Sequence, residues 1–416
     1  MIVELISTGS ELLLGDTVNT NVSWLAQELN KLGYTIAYQS VVGDNPGRMS
    51  EVFRKAAQRA DLVISTGGLG PTQGDITRQV LASSLNRSVV YNDDAMAEVR
   101  QFFKRVGREM PDASRREAML PDGSGVLANP VGVAPGVVTV DGDVTYILLP
   151  GPPGEMKGMF TQSVVPYLHK RFGSQGVVTS YRYGVYNIRE IDLEERVMDL
   201  IKQQSNPTIA LLIKKGYIEL RITAKAASLD EAHRLLDPWD EIIRRRLGTL
   251  IGRKLDISME ETLGNTLKAS DATMATAESC TSGLVGKLLT NVSGSSDYYM
   301  GGIISYSNDV KHRVLGVPQD LLDTYGAVSE QVAKAMAEGA KRVCNTTYAV
   351  STTGIAGPGG GTPDKPVGLV WFGVTGPRGT VAHKANLIGN REDIRQSAAE
   401  LALYYMNLYI QEKGDK

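Results

Sequence analysis

Apolar residues recur along this chain on two periods, and the switches between them mark the elements. Ile2 to Ser7 reads as a strand, and Val22, Leu25 and Leu29 mark one helix face closed by Gly33. Thr35 to Val42 is a second strand, Met49 to Arg59 a helix and Leu62 to Thr66 a third strand. Met96, Val99, Phe103 and Val106 have the spacing of a helix core face. Strands alternating with helices predict a mostly parallel sheet covered on both faces, with ligands beyond the carboxyl ends of its strands.

Gly173-Ser174-Gln175-Gly176 reads as a linker. Beyond it the pattern gives a strand over Tyr181 to Asn187 and a helix over Glu190 to Lys202. A hairpin of Thr208 to Ile213 and Tyr217 to Lys225 follows, turning over Lys214-Lys215-Gly216, then a helix from Leu229 to about Leu247. A junction at Gly252 to Ser258 leads to a last α/β region. There Thr273 to Thr276 ends a buried strand, and Leu284, Val285, Leu288 and Leu289 recur at helical spacing. Ile303, Ile304 and Tyr306 suggest another strand, with Asn308 or Asp309 capping the helix that holds Lys311. Tyr348 to Thr352 and Val367 to Val374 complete the strands, and Asn390 caps a final helix. The expected domains are 1–170, 171–255 and 256–416.

Composition narrows the function classes. A chain of 416 residues has room for several cores. Its formal net charge of -2 gives no global field toward nucleic acid or membrane. The only cysteines, Cys280 and Cys344, form neither a zinc pattern nor a disulfide framework. No segment reaches transmembrane length, and the N-terminus lacks a basic region before an apolar run. A cytoplasmic protein is expected.

Candidate chemistry lies at the strand ends. Thr8-Gly9-Ser10-Glu11, Gly43-Asp44-Asn45 and Ser65 to Asp75 follow the first three strands. Their glycines let backbone N–H groups approach phosphate, and Asp44 and Asp75 could hold a hard cation such as magnesium. Individually, these are also ordinary turn and cap residues. Ser279, in Ala277-Glu278-Ser279-Cys280-Thr281-Ser282-Gly283, sits on a strand-to-helix turn beside the first free helix N–H groups. Those donors and the helix dipole suit an oxyanion, so Ser279 reads as a nucleophile. Alone, the same run reads as a helix cap. Tyr306 and Lys311 could bring their polar tips to one place, and a desolvated lysine can act as a base near neutral pH; alone, Lys311 reads as an ordinary helix-start lysine. A Ser-x-x-Lys pattern would need lysine at Ser282, and a nucleophile elbow glycines at Ala277 and Thr281, so both fail. Gly354 to Gly361 is not a Walker loop, because no Gly-Lys-Ser/Thr follows. Arg391 and Arg395, at i and i+4, share a helix face and suit a phosphate.

AESCTSG, YSNDVK and STTGIAGPGGG with KPVG together resemble the C-terminal domain of the CinA family, the nicotinamide mononucleotide deamidases. The resemblance implies hydrolysis of nicotinamide mononucleotide to nicotinic acid mononucleotide and ammonia, with no cofactor in this half. By position it implies Ser279 as nucleophile, Lys311 as base, Tyr306 as proton relay and Thr353 polarising the amide. It implies substrate contacts from Glu278, Cys280, Thr281, Gly283, Gly354, Gly357, Arg391 and Arg395. Asn129 to Gly136, Leu149 to Glu155 and the TGGLGPT run resemble the molybdopterin-binding fold of MoaB and MogA, found at the N-terminus of CinA proteins. That likeness implies metal-dependent ADP-ribose pyrophosphatase activity. Nucleotide contacts are expected from Ser10, Asn19, Thr66, Gly67, Gly68, Gly70, Pro135, Gly136 and Gly151, with a divalent cation on Asp44 and Asp75. One departure stands out: Gly74 occupies the place of a usual acidic residue. The module beyond Tyr181 resembles the KH-like middle domain of CinA proteins, yet lacks the Gly-x-x-Gly clamp of RNA-binding KH modules. It reads as a spacer or dimerisation element. A homodimer is implied, acting on small nucleotides without direct nucleic-acid contact. The other readings are a nucleotide- or pterin-binding carrier and a non-enzymatic partner in DNA uptake or repair.

Overall fold

Each predicted α/β region builds its own sheet in the computed structural model, which describes residues 1–412. Contacts divide the chain into two compact units: Met1–Thr179 with Lys225–His233, and Ser180–Ala224 with everything from Arg234 onward.

In the first unit six strands run in the order Thr35–Val42, Ile2–Thr8, Leu62–Thr66, Val144–Leu149, Gly136–Asp141, Gly125–Leu127. The first four are parallel, and the last two close the sheet antiparallel. Successive side chains of a strand face opposite ways, so Leu5 and Ile64 join Val22, Leu25 and Leu29 in one core. Ile6 and Val63 face the other core, with Met49, Phe53, Met96 and Val99. Val106 departs from the expected core face and is 43% exposed, because its helix stops there at the left-handed Gly107. The register pairs Thr8 with Val42, Ser7 with Thr66, and Thr66 with Leu149, so four strand ends share one edge.

The second unit holds two sheets. Thr208–Ile213, Ile218–Ala226, Val177–Val185 and Ile251–Lys254 lie in that order. The hairpin pairs Thr208 with Thr223 and Ile213 with Ile218, as its apolar alternation requires. At the start of the expected junction, Ile251–Lys254 pairs with Tyr183–Val185 as an edge strand of the middle module. The other sheet runs Tyr299–Ile304, Met274–Glu278, Tyr348–Gly354, Leu369–Gly376, Gly379–Asn386, with its first three strands parallel. The helix Glu330–Cys344 covers one face through Val332, Met336 and Ala340. On the other face lie Met259–Ala269 and the final helix Arg391–Gln411, whose Ala398, Ala399 and Ala402 permit close packing. The carboxyl ends of its three parallel strands deliver Ser279, Ser305 and Thr353 to one edge. Among the described residues, no helix is long and apolar enough to cross a membrane.

Candidate active site

The strand Met274–Glu278 is buried throughout and ends in a tight turn before the helix Leu284–Thr290. Ser282 and Gly283 both take left-handed backbone, at φ 52° and 92°. Glycine adopts that region freely, whereas a serine pays for it in strain. Glu278 holds the turn. Its buried carboxylate accepts from Thr281 Oγ1 at 2.6 Å and from the N–H groups of Gly283, Val285 and Gly286 at 2.9, 3.1 and 2.9 Å. The expectation that these helix N–H groups face an oxyanion is therefore corrected. A strand-end carboxylate already satisfies them and complements the dipole.

Ser279 is 9% exposed, and its N–H donates to Thr352 O at 2.9 Å. Lys311 is 1% exposed, and its Nζ makes three contacts: Ser279 Oγ at 3.1 Å, Ser305 O at 2.8 Å and Tyr306 O at 3.2 Å. No carboxylate is among them. Burial lowers the ammonium to about 8, opposed weakly by the Cys280 thiol. The two carbonyls can only accept, so they take both N–H groups of a neutral amine. That leaves its lone pair for the Ser279 hydroxyl.

A cavity of about 190 Å³ opens over this pair, walled also by Cys280, Tyr306, Asn308, Ala327, Val328, Thr353, Gly354, Ala356 and Arg391. Thr353 Oγ1 donates to Ala327 O at 2.7 Å, which leaves its lone pairs for an N–H of a bound amide. Gly354 is required, because a Cβ there would stand 2.7 Å from Leu369 O. The Tyr306 side chain is exposed at the mouth and reaches Lys311 through its backbone carbonyl. Burial pushes the Cys280 thiol up to about 12, so it is no competing nucleophile.

Several expected substrate contacts serve the framework instead. Arg395 donates to Cys280 O at 3.2 Å and Thr281 O at 3.1 Å, behind the turn. The Thr281 side chain is fully buried, bonded to Glu278 and Thr352. Gly283 caps the helix, and Gly357 O receives Arg391 Nη1 at 2.6 Å. Arg391 lines the cavity, and Arg395 does not.

At the edge of the first unit, Gly67 and Gly68 are left-handed, and a Cβ on Gly67 would meet Thr8 O at 2.4 Å. A Cβ on Gly151 would stand 3.6 Å from Gly67 Cα, so those loops lie side by side. Asn21 spans them, donating to Thr66 Oγ1 at 3.1 Å and Gly151 O at 2.7 Å. Its buried Oδ1 has no partner among the described residues. Sequence reasoning chose Asn19, which caps the next helix and donates to Ser7. Pro135 and Gly136 are buried, with Gly136 packed against Met159. Arg78, buried and lowered to about 10, fixes the glycine loop through Leu69 O at 2.9 Å and Gly70 O at 3.2 Å.

The residues proposed for a metal do not fit one. Asp44 accepts from the N–H and hydroxyl of Ser10 at 3.1 and 3.0 Å. Asp75 accepts from Thr72 N and Oγ1 at 2.9 and 2.5 Å. Asp44 ties the loop after the second strand to the loop after the first, Asp75 closes its own turn, and Gly74 adds no donor. Among the described residues, no group of three or more His, Cys, Asp or Glu is placed to hold a metal ion.

Three family models match in tandem: Probable molybdopterin binding domain over residues 4–170, Damage-inducible protein CinA KH domain over 182–251, and CinA C-terminal domain over 256–410. A Putative competence-damage inducible protein of Clostridium beijerinckii is 42% identical, covering 96% of this chain and 97% of its own. A CinA-like protein of Dictyoglomus thermophilum is 43% identical over 94% of this chain and 95% of its own. A crystal structure of a competence/damage inducible protein from Agrobacterium tumefaciens is 38% identical over 37% of this chain and 96% of its own, with a TM-score of 0.36.

Proposed function

The chain belongs to the CinA family, and within it we propose that the C-terminal domain hydrolyses the carboxamide of nicotinamide mononucleotide, giving nicotinic acid mononucleotide and ammonia. The observation that carries this reading is a buried lysine, held by two carbonyls, with its amine 3.1 Å from a serine hydroxyl in a small cavity. An amide is a poor electrophile, so the attacking hydroxyl must lose its proton as the bond forms. Lys311 accepts that proton while Ser279 Oγ bonds to the carboxamide carbon. Arg395 holds the carbonyls of Cys280 and Thr281, and the N–H of a trans peptide points opposite its carbonyl. Arg395 thereby fixes the orientation of both peptide units that follow the nucleophile, with Ser279 Oγ held beside Lys311 Nζ.

The tetrahedral intermediate then collapses. The C–N bond breaks, and the proton on Lys311 passes to the departing ammonia. Water next gives a proton to Lys311 and attacks the ester carbon. The Ser279 ester bond breaks, its oxygen recovers the proton, and the acid leaves. Arg391, at the cavity wall with guanidinium donors to spare, is the seat for the phosphate.

For the N-terminal domain we propose binding of a phosphorylated nucleotide or pterin at the glycine edge, with Asn21 among its contacts. Cation-assisted cleavage is not part of this reading, because Asp44 is bonded to Ser10 across two loops and Asp75 to Thr72 within its turn.

The direct test is incubation of the intact chain with nicotinamide mononucleotide. Ammonia should appear in one-to-one ratio with nicotinic acid mononucleotide. Absence of both, in a correctly folded sample, overturns the assignment.

A further inference from the structure

Four residues of the final helix form one stripe: Asp393, Ser397, Glu400 and Tyr404. At 3.6 residues per turn, roughly 100° each, they fall within about 60° of one another, and Arg391 and Arg395 lie on the opposite side. Every member of the stripe meets the middle module. Lys215 Nζ pairs with Asp393 at 2.9 Å. Gly216, at φ 88°, presses its backbone so closely that a Cβ would stand 3.1 Å from both Ser397 O and Glu400 Cβ. Glu400 Oε1 accepts from Tyr186 at 2.6 Å and Arg253 at 2.9 Å, in a pair only 14% and 8% exposed. Tyr404 stacks on Tyr186 at 4.4 Å and donates to Thr249 O at 3.1 Å. Gly252 leaves room for that stack, since its Cβ would fall 2.6 Å from Tyr186 and 2.7 Å from Tyr404.

We propose that the middle module is a clamp on this helix, and that Lys215, Gly216, Tyr186, Arg253 and Glu400 are positioning residues for the nucleophile turn. The helix is gripped on one face, and through Arg395 it grips the turn with the other. A buried carboxylate hydrogen-bonded by arginine and tyrosine is costly to break on one side only, so it fixes register as well as contact. The inference rests on Ser279 as the reacting group, so its primary readout needs no substrate.

The experiment is amide hydrogen exchange on the full chain, comparing wild type with Gly216→Val, Glu400→Gln and Tyr186→Phe. The segment Ser279–Gly283 should exchange about tenfold faster in Gly216→Val and Glu400→Gln, with Met274–Glu278 unchanged. Tyr186→Phe, which keeps the ring stack, should show a smaller rise. In turnover with nicotinamide mononucleotide, kcat should fall with KM and the pH midpoint retained. Unchanged exchange at the turn in Glu400→Gln and Tyr186→Phe overturns the clamp, whether or not Gly216→Val folds. Faster exchange without any ammonia release in wild type leaves the clamp standing and removes the deamidase reading.

Discussion

Arg395 Nε donates to the carbonyl of Cys280 at 3.2 Å across 115 residues of sequence, and its Nη2 takes Thr281 O beside it. A guanidinium holds the two carbonyls with two separate nitrogens of one rigid plane, whereas lysine offers a single nitrogen on a flexible stem. Arg395→Lys should therefore lower kcat about 10- to 100-fold with little change in KM, the signature of a misplaced nucleophile. Arg391→Ala should do the reverse and raise KM, because Arg391 faces the cavity. Steady-state kinetics on both variants checks the split.

Glu278 acts on the same turn from within. Its carboxylate takes four donors, three of them helix N–H groups. Glu278→Gln puts an NH2 among donors and removes the charge that faces the helix dipole. The cost should be about 2 kcal/mol, seen as a thermal midpoint lower by roughly 4–8 °C. A midpoint within error of wild type would mean that the turn is held elsewhere.

Lys311 must be neutral to act as base. Its ammonium is lowered from the ordinary 10.5 to about 8 by burial, so the rate should rise about tenfold per pH unit below 8 and level off above it. Lys311→Met should remove this dependence together with the activity. The sign of the linkage follows from the lowered value. Between pH 8 and 10.5 the unfolded chain binds the proton that the folded one has lost, so wild type gains stability relative to Lys311→Met as pH rises through that window. Thermal unfolding of the pair from pH 7 to 10.5 reads this directly.

Gly74 stands in open space, since a Cβ there would meet only Thr72 Oγ1 at 3.8 Å. Gly74→Asp should be tolerated and would place a second carboxylate beside Asp75. Cleavage of ADP-ribose should stay at the wild-type level with manganese, magnesium or EDTA, because Asp44 remains bonded to Ser10 and Asp75 to Thr72. Metal-dependent cleavage that appears in the variant and is lost with EDTA would contradict that reading of the two carboxylates.

The elements were legible where apolar periodicity was strong: Leu62–Thr66 and Thr208–Ile213 were read to their observed ends, and the second hairpin strand, expected over Tyr217 to Lys225, spans Ile218–Ala226. The strand Gly379–Asn386 was not read, because an edge strand exposed on one side carries only a weak alternation. At the candidate site, the family resemblance implied that Ser279 and Lys311 act together, and the structure puts them in contact. The duty of Glu278 was hidden, since a cap delivered from the preceding strand depends on where the helix axis points. Arg395 was read as a phosphate ligand from its i, i+4 partner, whereas its targets are carbonyls that only tertiary packing brings near. Asn21 carried a signal in Asn19-Thr20-Asn21, but one sequence does not say which asparagine caps and which reaches across loops.

Ser279 is the point on which the account turns. Ammonia release from nicotinamide mononucleotide should be compared between wild type and Ser279→Ala, with circular dichroism confirming that both are folded. The account requires release from wild type and its loss in the variant, by at least about 1000-fold, as expected for removal of a nucleophile. Substantial turnover by a folded Ser279→Ala would contradict it and require a different attacking group.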